Sequence, residues 1–130
     1  MLNIQHIHHV AILTDDYEKS KRFYTEVLGF EIIAETYREA RQSYKLDLAI
    51  NGQYQIELFS FPDYRPRASF PEAKGLRHLA FAVKDVEAAA EYLKSKAVDN
   101  LQQVRVDELT GKKFIFFDDP NGQPLELYEI

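Results

Sequence analysis

The chain is expected to fold as an α+β protein built from two βαβββ modules in tandem, and three observations predict this. Apolar runs of strand length, rich in β-branched and aromatic residues, outnumber the two stretches with helical periodicity. Turn signals punctuate these runs at Asn51-Gly52, Thr110-Gly111 and Pro120-Asn121-Gly122. The second half also repeats the first. His78 lies 69 positions after His9 (78 minus 9), and the same offset takes Asp16 to Asp85 and Glu18 to Glu87. It also takes Ile56-Glu57-Leu58-Phe59 to Leu125-Glu126-Leu127-Tyr128. The turn Asn51-Gly52-Gln53 returns as Asn121-Gly122-Gln123, displaced by one further residue. A register that survives a helix and several loops points to a duplicated module.

In chain order, Ile7 to Leu13 reads as a buried strand that carries two adjacent histidines. Asp15 or Asp16 can cap a helix in which Tyr17, Ser20, Phe23, Tyr24, Val27 and Leu28 recur at helical spacing, with Gly29 as its stop. Strands are expected from Phe30 to Tyr37, Tyr44 to Ile50 and Tyr54 to Phe61, which closes a first module over residues 1–61. Residues 62–75 hold three of the five prolines and a cluster of charge, and read as a linker or surface loop. The second module, residues 76–130, begins with a strand from Leu76 to Val83. A helix runs from Asp85 to near Ala97, and strands are expected from Leu101 to Val106, Lys113 to Asp118 and Pro124 to Glu129. Together the modules form a single domain spanning 1–130.

Composition narrows the function classes. With 45% hydrophobic and 28% charged residues, the chain is expected to be a soluble globular protein. No apolar run approaches the roughly 18 residues of a membrane helix, and no secretory signal pattern opens the chain. The expectation is therefore a cytoplasmic protein without membrane contact. A net charge of −5 disfavours general nucleic-acid binding. The absence of cysteine excludes disulfides, a thiolate nucleophile and Cys-ligated metal, which leaves His, Asp, Glu and backbone oxygens as possible ligands.

Only four histidines exist: His6, His8, His9 and His78. Side chains alternate along a strand, so His9 shares a face with Ile7 and Ala11, while His8 points with Val10 and Ile12. The repeat matches His9 to His78 and His8 to Arg77, which cannot ligate a metal. His8 is thus expected to be structural or at the rim. Small residues follow each candidate, Ala11 after His9 and Ala80 after His78, and leave room for a metal and a substrate. Glu57 and Glu126 alternate with apolar neighbours, a pattern that alone describes a solvated strand face. Taken together, two His and two Glu at symmetry-related positions compose an N₂O₂ metal shell: His9, Glu57, His78 and Glu126. Arg38, Glu39, Arg41, Lys45 and Arg77 could hold a substrate carboxylate or phosphate, or form cross-strand ion pairs. Tyr64, Arg65 and Arg67 lie on the connector, which could cover the site or simply join the modules.

Several stretches resemble the vicinal oxygen chelate superfamily, which includes glyoxalase I, fosfomycin-resistance proteins, extradiol dioxygenases and methylmalonyl-CoA epimerase. They are His8-His9-Val10-Ala11-Ile12, the helix from Ser20 through Tyr24 to Phe30, Arg77-His78-Leu79-Ala80-Phe81-Ala82-Val83, and Phe117-Asp118-Asp119-Pro120-Asn121-Gly122 leading to Leu125-Glu126-Leu127. The resemblance covers nearly the whole chain and is closest to small bacterial glyoxalase I-like proteins. It implies that the modules pair into a curved, partly open eight-stranded barrel-like sheet. The His, Glu, His, Glu order of bacterial glyoxalase I falls on His9, Glu57, His78 and Glu126. That enzyme's arginine and asparagine for glutathione fall on Leu13 and Phe61, so the pair is absent here.

The same resemblance implies a divalent-metal-dependent lyase or isomerase that acts on a small oxygenated metabolite through an enolate-like intermediate, with Glu126 or Glu57 as the base. Ni²⁺ or Zn²⁺ is expected ahead of Co²⁺, Mn²⁺ or Fe²⁺, and Cu(I) is disfavoured for want of a soft ligand. It further implies a homodimer in which His9 and Glu57 of one chain meet His78 and Glu126 of the other. The alternatives are another activity of the superfamily, an epimerase or dioxygenase, or a non-enzymatic binding or resistance protein.

Overall fold

A computed structural model describes residues 1–130, which divide into two compact units, Met1–Arg65 and Pro66–Ile130. In the first unit, β1 (Val10–Thr14), β2 (Glu31–Arg38), β3 (Ser43–Ile50) and β4 (Gln53–Ser60) form an open sheet in the order β1-β4-β3-β2. β1 runs parallel to β4 and the other pairs are antiparallel. The second unit repeats this plan with β5 (Leu79–Val83), β6 (Arg105–Val106), β7 (Lys113–Asp118) and β8 (Pro124–Glu129) in the order β5-β8-β7-β6. The α+β expectation holds, with one four-stranded sheet in each unit.

Strand alternation assigns the faces. Ile12 and Thr14 of β1, Leu46 and Leu48 of β3, and Ile56 and Leu58 of β4 are buried, together with Tyr17, Ser20, Phe23 and Tyr24 of the helical segment. In the second unit Ile115, Phe117, Leu125 and Leu127 are buried with Val86 and Leu93 of the helix α2 (Val86–Ser95). Each fully buried Leu or Ile contributes about 1.5–3 kcal/mol of transfer energy. Truncating Leu58 to Ala would therefore cost about 2–5 kcal/mol once the cavity is included. The opposite face of each sheet is left to carry polar groups. Ala11, Asp47 and Glu57 are ladder partners on that face, as are Ala80, Phe116 and Glu126.

Both helices start on an aspartate. Asp16 accepts from the Lys19 N–H at 3.1 Å and Asp85 from the Ala88 N–H at 2.9 Å, so the first cap is Asp16 and not Asp15. The first helix is not uniform, however. The α-helix α1 (Tyr17–Arg22) passes into a π-helical turn over Phe23–Val27, where the Leu28 N–H reaches the Phe23 carbonyl at 3.0 Å. The Thr25 hydroxyl donates to the Lys21 carbonyl at 2.7 Å, which loosens the ladder at that point. The wider turn sets Phe23 and Tyr24 edge to face in the core, with ring centroids 5.2 Å apart.

Three further boundaries differ from expectation. β1 begins at Val10 and β5 at Leu79, so His8, His9, Arg77 and His78 lie just before their strands. The reason lies in their neighbours. β1 pairing opens at Val10 opposite Ile56, next to Gln55, which the β3–β4 ladder skips between Leu48–Ile56 and Ala49–Tyr54. β5 pairing opens at Leu79 opposite Leu125, next to Pro124, which has no N–H to donate. The strand expected from Leu101 to Val106 shrinks to Arg105–Val106, because the register against β7 shifts by one residue between the Gln102 N–H bond to the Phe116 carbonyl, at 2.9 Å, and the Arg105–Phe114 pair.

The skipped Gln55 also explains the one-residue slip of the repeat. β7 and β8 pair without a skip, from Phe117–Leu125 to Asp118–Pro124. The second unit carries its extra residue in the turn instead. There Asp119 Oδ1 accepts from the N–H groups of Asn121 at 2.7 Å and Gln123 at 2.9 Å. The corresponding Asn51-Gly52 turn has both residues at positive φ, 49° and 76°, as a two-residue hairpin requires.

Candidate metal and substrate site

The polar face of the first unit centres on Glu57. β4 presents this carboxylate at only 7% exposure, far from the solvated position that its alternation alone describes. His9 Nε2 lies 2.7 Å from Glu57 Oε2, and Lys45 Nζ of β3 lies 2.8 Å from Oε1. The Tyr54 hydroxyl bonds Glu57 and Asp47, reaching Asp47 Oδ1 at 3.1 Å. Burial pushes the Glu57 carboxyl up. Hydrogen bonds from Lys45 and Tyr54, with the charges of Lys45 and His9, outweigh it and hold the group below the usual carboxylate range. The hydrogen bond to Glu57 raises Lys45 against the opposing effect of burial. Burial, followed by hydrogen bonds to Glu57 and Asp47, drives Tyr54 well above the usual phenol range.

His8 has a definite place beside this cluster. Its Nδ1 lies 2.8 Å from Nδ1 of His9, and both rings lean on Tyr54 at 5.2 and 5.8 Å between centroids. That contact orients the His9 ring so that Nε2 faces Glu57. Tyr54 and Asp47 were not singled out from sequence. Asp47 is the partner of Glu57 across the hairpin, whereas strict alternation puts Tyr54, three residues before Glu57, on the other face, and the skipped Gln55 turns it back toward the carboxylate.

The second unit repeats the pair with different surroundings. His78 Nε2 lies 3.0 Å from Glu126 Oε2, and Glu126 is 8% exposed. The Lys45 and Asp47 positions of β3 are taken in β7 by Phe114 and Phe116. The Phe116 ring meets His78 edge to face at 5.0 Å. A cavity of about 340 Å³ opens beside His78, lined in part by Phe70, Arg77, Arg105 and Phe116. Neither unit by itself gathers three or more His, Asp or Glu side chains in one metal-sized cluster. Each offers one imidazole nitrogen and one carboxylate oxygen.

The remaining candidates divide by environment. Arg38 donates to Ser43 Oγ at 2.9 Å and lies over Phe59 and Phe61 at 4.8 and 5.6 Å, so it packs against β3 and the end of β4. Glu39 and Arg41 sit on an exposed 3₁₀ turn between β2 and β3. Tyr64 and Arg65 are exposed, whereas Arg67 donates to Gln123 Oε1 at 3.1 Å and to the carbonyls of Leu76 and Arg77, each at 2.9 Å. Leu13 is partly exposed, and Phe61 stacks on Phe59 at 5.8 Å.

Two βαβββ units in tandem, each with this strand order, place the chain in a definite class of α+β proteins. A profile of the Glyoxalase/Bleomycin resistance protein/Dioxygenase superfamily matches residues 6–127, and the chain belongs to that superfamily. The uncharacterized protein YwkD of Bacillus subtilis is 57% identical over 126 residues, covering 97% of this chain and 98% of its own length. The uncharacterized protein YaeR of Escherichia coli is 57% identical over 129 residues and 99% of each chain. The crystal structure of a glyoxalase family protein from Enterococcus faecalis superposes with a TM-score of 0.89 at 44% identity, over 98% of this chain and 100% of that one. More distant relatives are named for different reactions. They include a 2-epi-5-epi-valiolone epimerase of Actinomyces sp at 29% identity and the metallothiol transferase FosB of Staphylococcus saprophyticus at 31%. A manganese-dependent 2,3-dihydroxybiphenyl 1,2-dioxygenase of Geobacillus is 32% identical, and its match spans 35% of that longer protein.

Proposed function

We propose that this protein is a divalent-metal-dependent lyase or isomerase of glyoxalase type, which moves a proton next to a carbonyl on a small oxygenated metabolite. The observation that supports it is the repeated His–Glu pair, His9 with Glu57 and His78 with Glu126, at equivalent points of two units. The donor set fits a divalent cation. Two ligands bonded at about 2.0–2.2 Å and set near a right angle lie about 3 Å apart, close to the two N···O separations seen here. Two nitrogens and two oxygens without sulfur suit Ni²⁺ or Zn²⁺, then Co²⁺, Mn²⁺ or Fe²⁺. Metal use in the named dioxygenase and metallothiol transferase relatives supports the same reading. We propose further that the site is completed in a cytoplasmic homodimer, with His9 and Glu57 from one chain and His78 and Glu126 from its partner.

Bound there, the cation would polarise substrate oxygens and stabilise the negative charge that develops on them. The protein's own groups divide the remaining work. Glu57, held by Lys45, Tyr54 and His9, is fixed in place and serves as a positioned ligand. Glu126, held by His78 beside the Phe116 ring, is the freer carboxylate and takes the substrate proton at one of its oxygens. The neighbouring phenyl groups exclude water from that transfer. Leu13 and Phe61 leave an apolar surface where glutathione-using enzymes of this type place polar groups, which favours a substrate other than a glutathione adduct.

The test is metal analysis of purified wild-type protein beside His9→Ala and Glu126→Gln. Stoichiometric uptake of Ni²⁺ or Zn²⁺ by the wild type alone is expected, together with solvent-deuterium exchange at the substrate α-carbon that Glu126→Gln abolishes. Wild-type protein that takes up neither ion would sink the reading. A second reading, a metal-free binding protein, draws on one observation: Lys45 already neutralises Glu57. The epimerase and dioxygenase reactions of the relatives are separated by assaying 2-acyl thioesters and catechols, with oxygen uptake as the mark of the latter.

A further inference from the structure

The cavity beside His78 has a character that the His–Glu pair does not explain. Two arginines line it, Arg77 and Arg105, together with Ser69, Asn100 and Gln102. Each guanidinium is supported from one side by an aromatic ring of the same wall. Arg77 lies 5.7 Å over Phe70, and Arg105 lies 5.7 Å over Phe116 and 4.9 Å over Phe114. Arg105 also donates to Gln102 Oε1 at 3.1 Å. The structure gives Arg105 no carboxylate partner, and Arg77 has only a loose one, Glu72 at 3.8 Å between two well-exposed side chains. The acid of the cavity, Asp118, already accepts from Asn100 Nδ2 at 3.3 Å. A guanidinium that rests over a ring is held there without spending its N–H groups on a carboxylate, and those groups remain available to take an oxyanion.

The wall itself is built for this purpose. Arg67 ties the connector to Gln123 and to the successive carbonyls of Leu76 and Arg77, next to Ser69, Phe70 and Arg77 of the cavity lining. Ahead of the short β6 the chain is held to β7 by the Gln102 N–H, which donates to the Phe116 carbonyl at 2.9 Å, and by the Asp99–Asp118 bridge, and this keeps Asn100 and Gln102 in the cavity lining. At about 340 Å³ the space lies at the small end of ligand sites, which run from about 300 to 1,000 Å³.

We infer that Arg77 and Arg105 form an anion-binding subsite for a compact substrate that carries a carboxylate or phosphate group a few bonds from the oxygens presented to His78 and Glu126. The word substrate rests on the metal-dependent reading above; the anion site itself does not. The substrate class is thus a small anionic oxygenated metabolite, such as an oxo or hydroxy acid or its phosphate ester. Both arginines are exposed and outside the core, so replacing them leaves the fold intact.

The experiment titrates metal-stripped, isotope-labelled protein with inorganic phosphate in one arm and acetate in the other, followed by amide and guanidinium NMR shifts. Saturable shifts centred on Arg77, Gln102 and Arg105 are expected, and the arm with the tighter binding identifies the anion. Arg105→Ala or Arg77→Ala should weaken that binding roughly tenfold or more, the loss of a charge-assisted contact, and Arg105→Lys should restore part of it. Unchanged affinity in both alanine variants, or shifts centred elsewhere, would overturn the inference. Metal uptake by the same variants is measured alongside and should equal wild type. Anion binding that persists in a wild-type protein unable to take up metal would support the subsite while removing the metal reading.

Discussion

The two units share a plan and differ at their centres. Both put a histidine just before the first strand against a glutamate in the last, at 2.7 Å in one and 3.0 Å in the other. Around Glu57 the hairpin supplies Lys45, Asp47 and Tyr54, and the carboxylate is saturated with polar partners. Around Glu126 the equivalent hairpin supplies Phe114 and Phe116, and a cavity with two arginines opens alongside. The outer strands differ in step, eight residues in β2 against two in β6. A full outer strand closes the first sheet's edge, whereas a broken one leaves room for a ligand. The difference teaches that duplication fixes where the pair sits, while the residues facing it set its surroundings, polar in one unit and aromatic in the other.

The largest expected effect tests the shared part of the plan. Replacing any of His9, Glu57, His78 or Glu126 by Ala or Gln should weaken metal binding by more than about 100-fold, beyond the loss seen for groups that merely orient ligands. The four losses should match within a factor of a few in chelator competition titrations. A variant of one unit that binds like wild type while its counterpart fails would break the equivalence.

The next effect tests the divergent part. An ammonium beside Glu57 opposes a divalent cation held by the same carboxylate. At an effective dielectric between 20 and 80, a unit charge about 5 Å away costs about 1–3 kcal/mol per metal charge. That exceeds the roughly 1 kcal/mol lost with one orienting hydrogen bond. Lys45→Met should therefore tighten metal binding by about tenfold, measured in the same titration. Phe114→Met, at the equivalent position of the second unit, should leave it within twofold. Weaker binding in Lys45→Met would show that orientation of Glu57 outweighs repulsion.

A smaller effect compares the turns. Gly52 and Gly122 hold φ of 76° and 77°, and neither has an atom within 4 Å of the place a Cβ would occupy. Gly52→Ala and Gly122→Ala should each cost about 1–2 kcal/mol through backbone strain alone, and nearly equally, in chemical denaturation. Unequal costs would mean that the longer second turn relaxes where the tight first one does not.

Much of this architecture was legible in the residues. The repeat located both modules, the Asn-Gly hairpin and the His–Glu positions, because each depends on local chemistry recurring at fixed spacing. What was hidden depends on partners distant in sequence. The burial of Glu57 follows from Lys45 across the hairpin and from Tyr54, which the skipped Gln55 brings to the same face, and the two let a strand carry a carboxylate on a covered face. The π-helical turn needs Thr25 to compete for a carbonyl, and periodicity reads through it as ordinary helix. The late start of β6 comes from a one-residue register shift against β7 between Gln102 and Arg105, which shows only once the two strands are paired. The arginine pair stayed out of view because Arg105 sits on the short β6 and is joined to Arg77 only by the cavity wall.

The smallest effect concerns how each unit ties its helix to its sheet. In the first, Glu35 of β2 accepts from the Tyr17 hydroxyl and from Lys21 Nζ at 2.7 Å, while Tyr17 stacks on Tyr44 at 4.6 Å. In the second, Glu129 of β8 accepts from the Val86 N–H at 3.1 Å. The Lys21 hydrogen bond, then the Tyr17 one, lowers the Glu35 carboxyl below its usual range. A lowered carboxylate stabilises the fold above its unfolded value of about 4.3, and that stability is lost as pH falls through the folded value. The pair is about a third exposed and screened, so its contribution at neutral pH is at most about 1 kcal/mol. Glu35→Gln should lower stability by that amount at pH 7, and the difference from wild type should fade below about pH 4. Urea melts at pH 7 and at successive steps of acidification follow the loss. A gap that stays constant with pH would assign the effect to packing around Tyr17 and not to charge.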